Sequence, residues 1–418
     1  QMDRIASVSC PRGPSGRDVR VAWKVRDAYA NLTVIGQLAR LPRHLVEPFY
    51  RADPGRLNVA PYGADARMAI GDGAYRVVEW RTGVSMTLER VPDHGIFGAP
   101  RTKRLIWRFF QDFGLFPALL DGAVDVTLGN TSLAFDRAVE LDRRRGSGYR
   151  VFFVPGLTWE HIDFNLDNPW LKDVRVRQAI AHAVNRTQII QQTFFGKARL
   201  AHSYLPPRHP GHAGDVVTYR YDPSRARTLL ADAGLRPGTD GVLRDSAGRR
   251  VELELSTRSG VQIREQTQQI IREQLGLVGI DVVIRNFPLR EFFSERLGKR
   301  RFEAMILYAW VFSPTSDCDL VYTSDGIPTA SNTWLGSNYP GYRSAEMDRI
   351  CKAIPRELDP VRRRDLLQES ARLFARDLPA LPLYFRIDVA AAKAGLRNIA
   401  PRGLGVFETW NTQEWHWE

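Results

Sequence analysis

Residues 162–190 read IDFNLDNPWLKDVRVRQAIAHAVNRTQII, and the fold turns on this stretch. From Ile162 to Asp167 apolar and polar residues alternate, the period of a half-buried strand. Asn168-Pro169 interrupts it, because proline cannot donate to a ladder. Asp173 then stands where a helix N-cap belongs. Behind it Val174, Ala179, Ile180, Ala183, Val184 and Ile190 recur at steps of three and four. That spacing predicts one helix with an apolar stripe facing a core, and with Arg175, Arg177, Gln178, Asn185 and Arg186 on its polar side. Strand, tight connection and amphipathic helix are the makings of an α/β fold.

Upstream, strands dominate. VRVAWKV (19–25) alternates, and GDGAYRVVEWRTGVSMTLERV (71–91) reads as a hairpin about Thr82-Gly83. KRLIWRFFQD (103–112) is a further strand, and YRVFFVPG and WEHIDFNLD (149–167) are read as two more. Helical spacing covers 32–46, broken by Pro42, then 116–121, and 132–146 with Ser132 as cap and Gly146 as stop; residues 53–66 read as Pro/Gly-rich loop. Downstream, helices (221–234, 263–279, 290–298, 345–358, 360–378) alternate with strands (251–257, 280–286, 302–310, 380–386), and a loop-rich tail closes the chain. The shift in pattern predicts two lobes.

The 418 residues are 44% hydrophobic and 25% charged, ordinary for globular domains. No apolar run is long enough for a transmembrane helix. The formal charge is +12, nearly all from Arg, with seven Lys among 59 basic residues. The longest basic runs are short (RRR at 143–145, KRR at 299–301, RRR at 362–364) and are interleaved with acids, unlike a nucleic-acid footprint. No nucleic-acid partner is expected.

Chemistry-bearing motifs are missing. Cys10, Cys318 and Cys351 form no C-x-x-C pair. A Cys318–Cys351 bridge would suit an oxidising compartment; two buried free thiols is the reading preferred here. His202, His209 and His212 lie on a Pro-broken loop without a fitting carboxylate, and no metal site or cofactor is expected. There is no G-x-S-x-G and no phosphate-cradling G-x-x-x-x-G-K-[ST], so no catalytic residue is assigned and an enzyme is not expected. What stands out is aromatic and polar residues clustered at strand ends: Tyr308, Trp310, Phe312, Ser313 and Asp317, then Asn338 and Tyr339. Two readings are open: ordinary core aromatics beside a loop, or a ligand cleft presented at the strand ends of an α/β lobe.

Seven segments in order resemble one family. They are LPRHL (41–45), GDGAYRVVEW (71–80), GAVDVTL (122–128), the stretch quoted at the outset, YDPSRARTLLADAG (221–234), LGLVGIDVVIRN (275–286) and DLPALPLYFR (377–386). Together they are similar to the bacterial extracellular solute-binding proteins of family 5, which include the dipeptide- and oligopeptide-binding proteins of ABC importers. The resemblance implies a type II periplasmic-binding-protein clamshell with a two-strand hinge. Residues 1–164 would form lobe I, incomplete at its N-terminus, 165–386 lobe II, and 387–418 a return to lobe I. The strand crossings would lie near 162–166 and 385–389. It further implies a periplasmic monomer that binds a peptide or peptide-like solute between its lobes and hands it to ABC permease subunits. An opine, a glycoside, a nickel or a haem complex are the alternative cargoes, and a truncated, non-functional receptor is a further alternative. Two departures bear on the ligand. Ala74 replaces the family's usual proline. Ser313 stands where the peptide binders carry an Asp for the ligand's α-amine, and Asp317 is four residues late. Arg258, in LSTRSG, matches the position that grips a ligand carboxylate, chemistry suited to a bidentate guanidinium. The implied ligand-binding set is therefore Arg258, Tyr308, Trp310, Phe312, Ser313, Asp317, Asn338 and Tyr339.

Overall fold

The structure is a computed structural model that describes residues 5–13, 18–32, 42–53, 65–66, 69–71, 73–110, 114–129, 133–144, 146–313, 315–403 and 408–418. Most of 32–46 read as helical, most of the 53–66 loop and the Ser132 cap lie outside them. The chain divides into two units: Gln1–Gln37 with Leu157–Arg386, and Leu38–Gly156 with Ile387–Glu418. The first division falls at Gly156/Leu157 rather than at 164/165, and the N-terminal residues group with the larger unit.

The smaller unit holds helix α1 (Arg43–Ala52) and a three-stranded antiparallel meander of β3 (Tyr75–Arg81), β4 (Ser85–Arg90) and β5 (Arg104–Arg108). Gly83 closes the β3–β4 turn at φ 74°, open to glycine without strain. Helix α2 (Leu115–Leu120), the short strand β6 (Val126–Thr127) and helix α3 (Phe135–Arg143) follow. Ala134 occupies the α3 N-cap with no side-chain bond. Leu119, Ala138 and Leu141 pack against Val389 and Ala391 to form the core of this unit.

The larger unit begins with the hairpin β1 (Ile5–Ser9) and β2 (Arg20–Trp23). Its main elements are β7 (Tyr149–Phe164), α4 (Val174–Ala183), α5 (Arg186–Phe194), β8 (Arg199–Leu200), α6 (Pro223–Asp232), β9 (Arg236–Pro237), β10 (Leu243–Arg244), β11 (Glu252–Arg258), α7 (Gln262–Gly276), β12 (Asp281–Phe287), β13 (Met305–Val311), α8 (Ala345–Ala353), α9 (Pro360–Asp377) and β14 (Ala380–Lys393). The sheet order is β12-β11-β13-β7-β14-β6, with β8 on β14. β11 runs parallel to β12 and β13, and β13 antiparallel to β7. The stretches read as two strands, 149–156 and 159–167, are one 16-residue strand; β14 likewise continues past Arg386, and both contribute to each unit. The tail holds a last pair, β15 (Leu396–Arg397) and β16 (His416–Trp417).

Every residue of β7 from Leu157 to Phe164 is buried, without alternation. A strand covered on both faces has no solvent side to alternate toward. On one face Trp159 packs with Tyr204, Phe374 and Ile350. On the other Glu160 meets Arg264 of α7.

The single helix expected over 173–190 is two. Asp173 caps α4 by accepting from Arg175 N, as the sequence predicts. The helix ends at Ala183, and Asn185 starts α5 by accepting from Gln188 N. Arg177 and Arg186, expected on the solvated side, are 5% and 4% exposed. Arg177 donates to the carbonyls of Leu171, Lys172, Asp377 and Leu378. Arg186 donates to those of Ala201, Tyr219 and Pro382. The break reorients the second helix and with it Arg186, whereas Arg177, in the first helix, lies inside because the carbonyls at the C-terminal end of α9 meet it there.

Cys318 and Cys351 form a disulfide, which corrects the reading of two free thiols, while Cys10 is free and exposed. The two residues lie 33 apart in sequence, and both belong to the buried cluster that holds Tyr322, Met347 and Ile350.

Candidate ligand site

The C-terminal ends of β11 and β13 lie at one edge of the sheet. β7 enters the larger unit at this same edge: Phe312 N donates to Leu157 O at 3.0 Å, and Val311 pairs with Thr158. Strand carboxyl ends in open α/β sheets present backbone and loops to ligands. Arg258 closes β11 and is exposed. Val311 closes β13, and the loop beyond it carries Phe312, Ser313 and Asp317.

The eight residues implied by resemblance fall into distinct settings. Tyr308, Trp310 and Tyr339 come together, with ring centroids 5.9 to 6.1 Å apart and the Trp310 and Tyr339 rings parallel. Tyr308 is buried, whereas Trp310 and Tyr339 are half-buried and keep ring surface available. Phe312 is a core residue, 5% exposed, against Trp159 and Tyr204. The Ser313 hydroxyl is engaged by Thr315 and Ser316 in its own turn. Asp317 accepts from Asp319 N, and its charge helps burial push the Tyr29 hydroxyl up to about 12. Asn338 is fully buried. Its amide donates to Thr323 O and Tyr342 O and accepts from Tyr342 N, so it braces the loop and presents nothing outward.

A buried polar network behind the aromatic group is not signalled by any motif. Antiparallel register sets Trp159 opposite Trp310 and His161 opposite Tyr308 on one face. The His161 ring stacks on Trp159 at 3.9 Å and meets the Tyr308 edge at 4.4 Å. Tyr308 donates to Asp163 Oδ2 at 2.6 Å. His161 Nε2 lies 3.4 Å from Asp163 Oδ1, within ion-pair range but not aligned as a hydrogen bond. Burial, and then the Asp163 carboxylate, push the Tyr308 hydroxyl well above its ordinary range, so it stays a donor. On the opposite face Glu160, fully buried, is held by Arg264 at 3.1 and 3.2 Å and by Arg386. Burial works to raise its carboxyl, but the two guanidinium groups outweigh it and hold it at about 2. The available signal was charge inside a strand: Glu160, His161 and Asp163 interrupt an otherwise apolar run.

Among the described residues no cluster of His, Cys, Asp or Glu is arranged to hold a metal ion, and no helix is long and apolar enough to cross a membrane. Two open surface pockets, of about 350 and 160 Å³, lie beside the α8 C-terminus and share no lining residue with the aromatic group.

Strand-end aromatics on a mixed sheet are a general ligand-presenting arrangement. The profile of the bacterial extracellular solute-binding proteins, family 5 (middle region), matches residues 16–330. The chain belongs to this family. Its curated relatives include the oligopeptide-binding protein AppA of Bacillus subtilis (strain 168), 25% identical over 375 residues that cover 88% of this chain. The peptide transport periplasmic protein SapA of Salmonella typhimurium is 24% identical over 347 residues, 81% of the chain. The chain spans 65% and 58% of the lengths of these two relatives. Among solved structures, the oligopeptide-binding protein of Thermus thermophilus complexed with a pentapeptide is 29% identical, with a TM-score of 0.75 over 99% of this chain and 76% of its own. AppA from Bacillus subtilis in complex with a nonapeptide is 21% identical, with a TM-score of 0.78 over 99% and 78%. This family-5 chain thus has the type II periplasmic-binding-protein fold, and its family consists of extracellular solute-binding proteins.

Proposed function

We propose that this chain is the solute-binding component of an ABC importer. It binds peptides or peptide-like solutes without transforming them and passes them to permease subunits in the cytoplasmic membrane. It works in the periplasm, as a monomer and without a cofactor. The observation that carries this reading is the likeness, at 29% identity and across 99% of the chain, to a protein solved with a pentapeptide. The site chemistry supports it. Trp310 and Tyr339 offer half-buried aromatic faces for a ligand side chain, and the exposed Arg258 guanidinium suits a carboxylate.

A second reading concerns the ligand's amine. The Ser313 hydroxyl is occupied within its own turn, which favours a solute lacking a free α-amine. Thermal unfolding with short peptides and their N-acetylated forms tests both readings. A ligand at 100 times its Kd adds about 2.7 kcal/mol of stability. Equal stabilisation by free and acetylated peptides supports recognition without an amine anchor, and stabilisation by free peptides alone refutes it. Failure of every peptide overturns the peptide reading itself.

A further inference from the structure

The polypeptide between β13 and α8 makes two successive loops, 312–323 and 324–342, and several features tie them into one body. The disulfide fixes Cys318 to Cys351 of α8, with both residues fully buried. Tyr322 packs on Tyr204 and Phe374. Ser337 N donates to Leu320 O at 2.9 Å, and Asn338 N to Gly326 O at 2.9 Å. Gly326 and Gly336 cross so closely that a Cβ on Gly336 would overlap Gly326 O, and one on Gly326 would overlap Leu320 O. Asn338 then bonds back to Thr323 O. Leu320, Thr333 and Trp334 hold φ of 62°, 55° and 61°. For a β-branched or bulky residue this conformation is costly and persists only where surroundings over-determine it. The residue leaving this knot is Tyr339, whose ring lies parallel to Trp310.

We infer that the Cys318–Cys351 disulfide and the Gly326/Gly336 crossing are positioning elements for the Trp310–Tyr339 aromatic pair. The disulfide anchors the first loop, the crossing transmits that anchor to the second, and Asn338, bonded to Thr323 O and Gly326 O, holds the backbone entering Tyr339. Loss of the anchor therefore loosens Tyr339 on its Asn338 side, although neither cysteine lies beside it in sequence and Arg300 still donates to Tyr339 O. The consequence for solute affinity rests on the function proposed above; the mechanical coupling does not.

Amide hydrogen exchange on the full chain, wild type against C318S/C351S, tests the coupling. Peptides covering 318–326 and 335–342 are expected to exchange at least about tenfold faster, with β11, β12 and α7 unchanged. Acceleration confined to 318–326 and α8, with 335–342 at the wild-type rate, overturns the inference. G336A gives an independent reading with the disulfide intact. It should accelerate 318–326 as well as 335–342; an effect confined to 333–338 overturns the coupling even if the cysteine variant unfolds as a whole. Isothermal titration with a panel of pentapeptides supplies the second readout. Affinity should fall about tenfold or more in G336A for any peptide the wild type binds. Unchanged affinity refutes the positioning role. Absence of binding to wild type refutes the proposed function and leaves the exchange result to decide the coupling.

Discussion

Arg186 provides the sharpest quantitative test of how the larger unit is held together. Its guanidinium, 4% exposed, donates to Ala201 O at 2.7 Å, Pro382 O at 2.9 Å and Tyr219 O at 2.6 Å. It thereby joins α5 to the segment after β8, to β14 and to the segment before α6. Hydrogen bonds from a charged donor contribute about 1.5–3 kcal/mol each, so three amount to roughly 4.5–9 kcal/mol. Against this stands the burial of a charge, which lowers its pKa from 12.5 to about 10. That shift corresponds to roughly 3–4 kcal/mol of desolvation cost. Arg186→Met keeps the apolar stem, removes both terms and leaves three carbonyls without this donor. The expected net loss is about 3 kcal/mol at the middle of that range. Arg186→Lys, which cannot fork to three carbonyls, should recover less than half of it. Urea unfolding of the larger unit's transition, with the m-value held equal, measures the difference. A loss below about 1 kcal/mol for the Met variant, or full recovery by Lys, would refute the claim that the forked donor set is what stabilises this junction.

Three further outcomes follow from the same packing. His209 is 3% exposed, and burial lowers its pKa from 6.5 to about 4. The unfolded chain therefore binds a proton between these values that the folded one refuses. Stability should fall by about 1.4 kcal/mol per unit as pH drops through that window and level off below it, and His209→Asn should flatten this part of the curve. Glu160→Gln leaves Arg264 and Arg386 without their buried counter-charge and should cost about 3–5 kcal/mol in urea unfolding; a neutral effect would show that the pair is solvated. In the wild type the Glu160 contribution is present above pH 4.5 and is lost as pH falls through about 2. Trp310→Ala should weaken peptide binding about tenfold, or ~1.4 kcal/mol, in calorimetric titration, while Val361→Ala on the exposed side of α9 leaves it unchanged.

Periodicity, capping and turn chemistry are written locally, and those parts were legible in the chain. The Asp173 cap, the Thr82-Gly83 hairpin and the strands at 251–257, 280–286 and 302–310 all sit within a few residues of where the pattern puts them, because each depends on neighbours a few positions away. Family membership was legible for a related reason: seven ordered segments constrain a fold even when each alone is weak. Three kinds of fact depended on long-range packing instead. One is continuity, since β7 and β14 pass between units as single strands and nothing local distinguishes one long strand from two. Another is burial of charge. Arg177, Arg186 and Glu160 are the residue types a pattern assigns to water, and they lie inside only because carbonyls or opposite charges as many as 226 positions away meet them there. The last is the role of the strand-end residues: sequence groups Phe312, Asn338 and Tyr339 alike, whereas packing makes Phe312 core, Asn338 a brace and Tyr339 an available face. Sequence by itself determined the family and most local elements, though not the break within 173–190 or the continuity of β7. Only the tertiary structure decided which polar groups are interior and which cysteines join, because those outcomes depend on distances that no periodicity encodes.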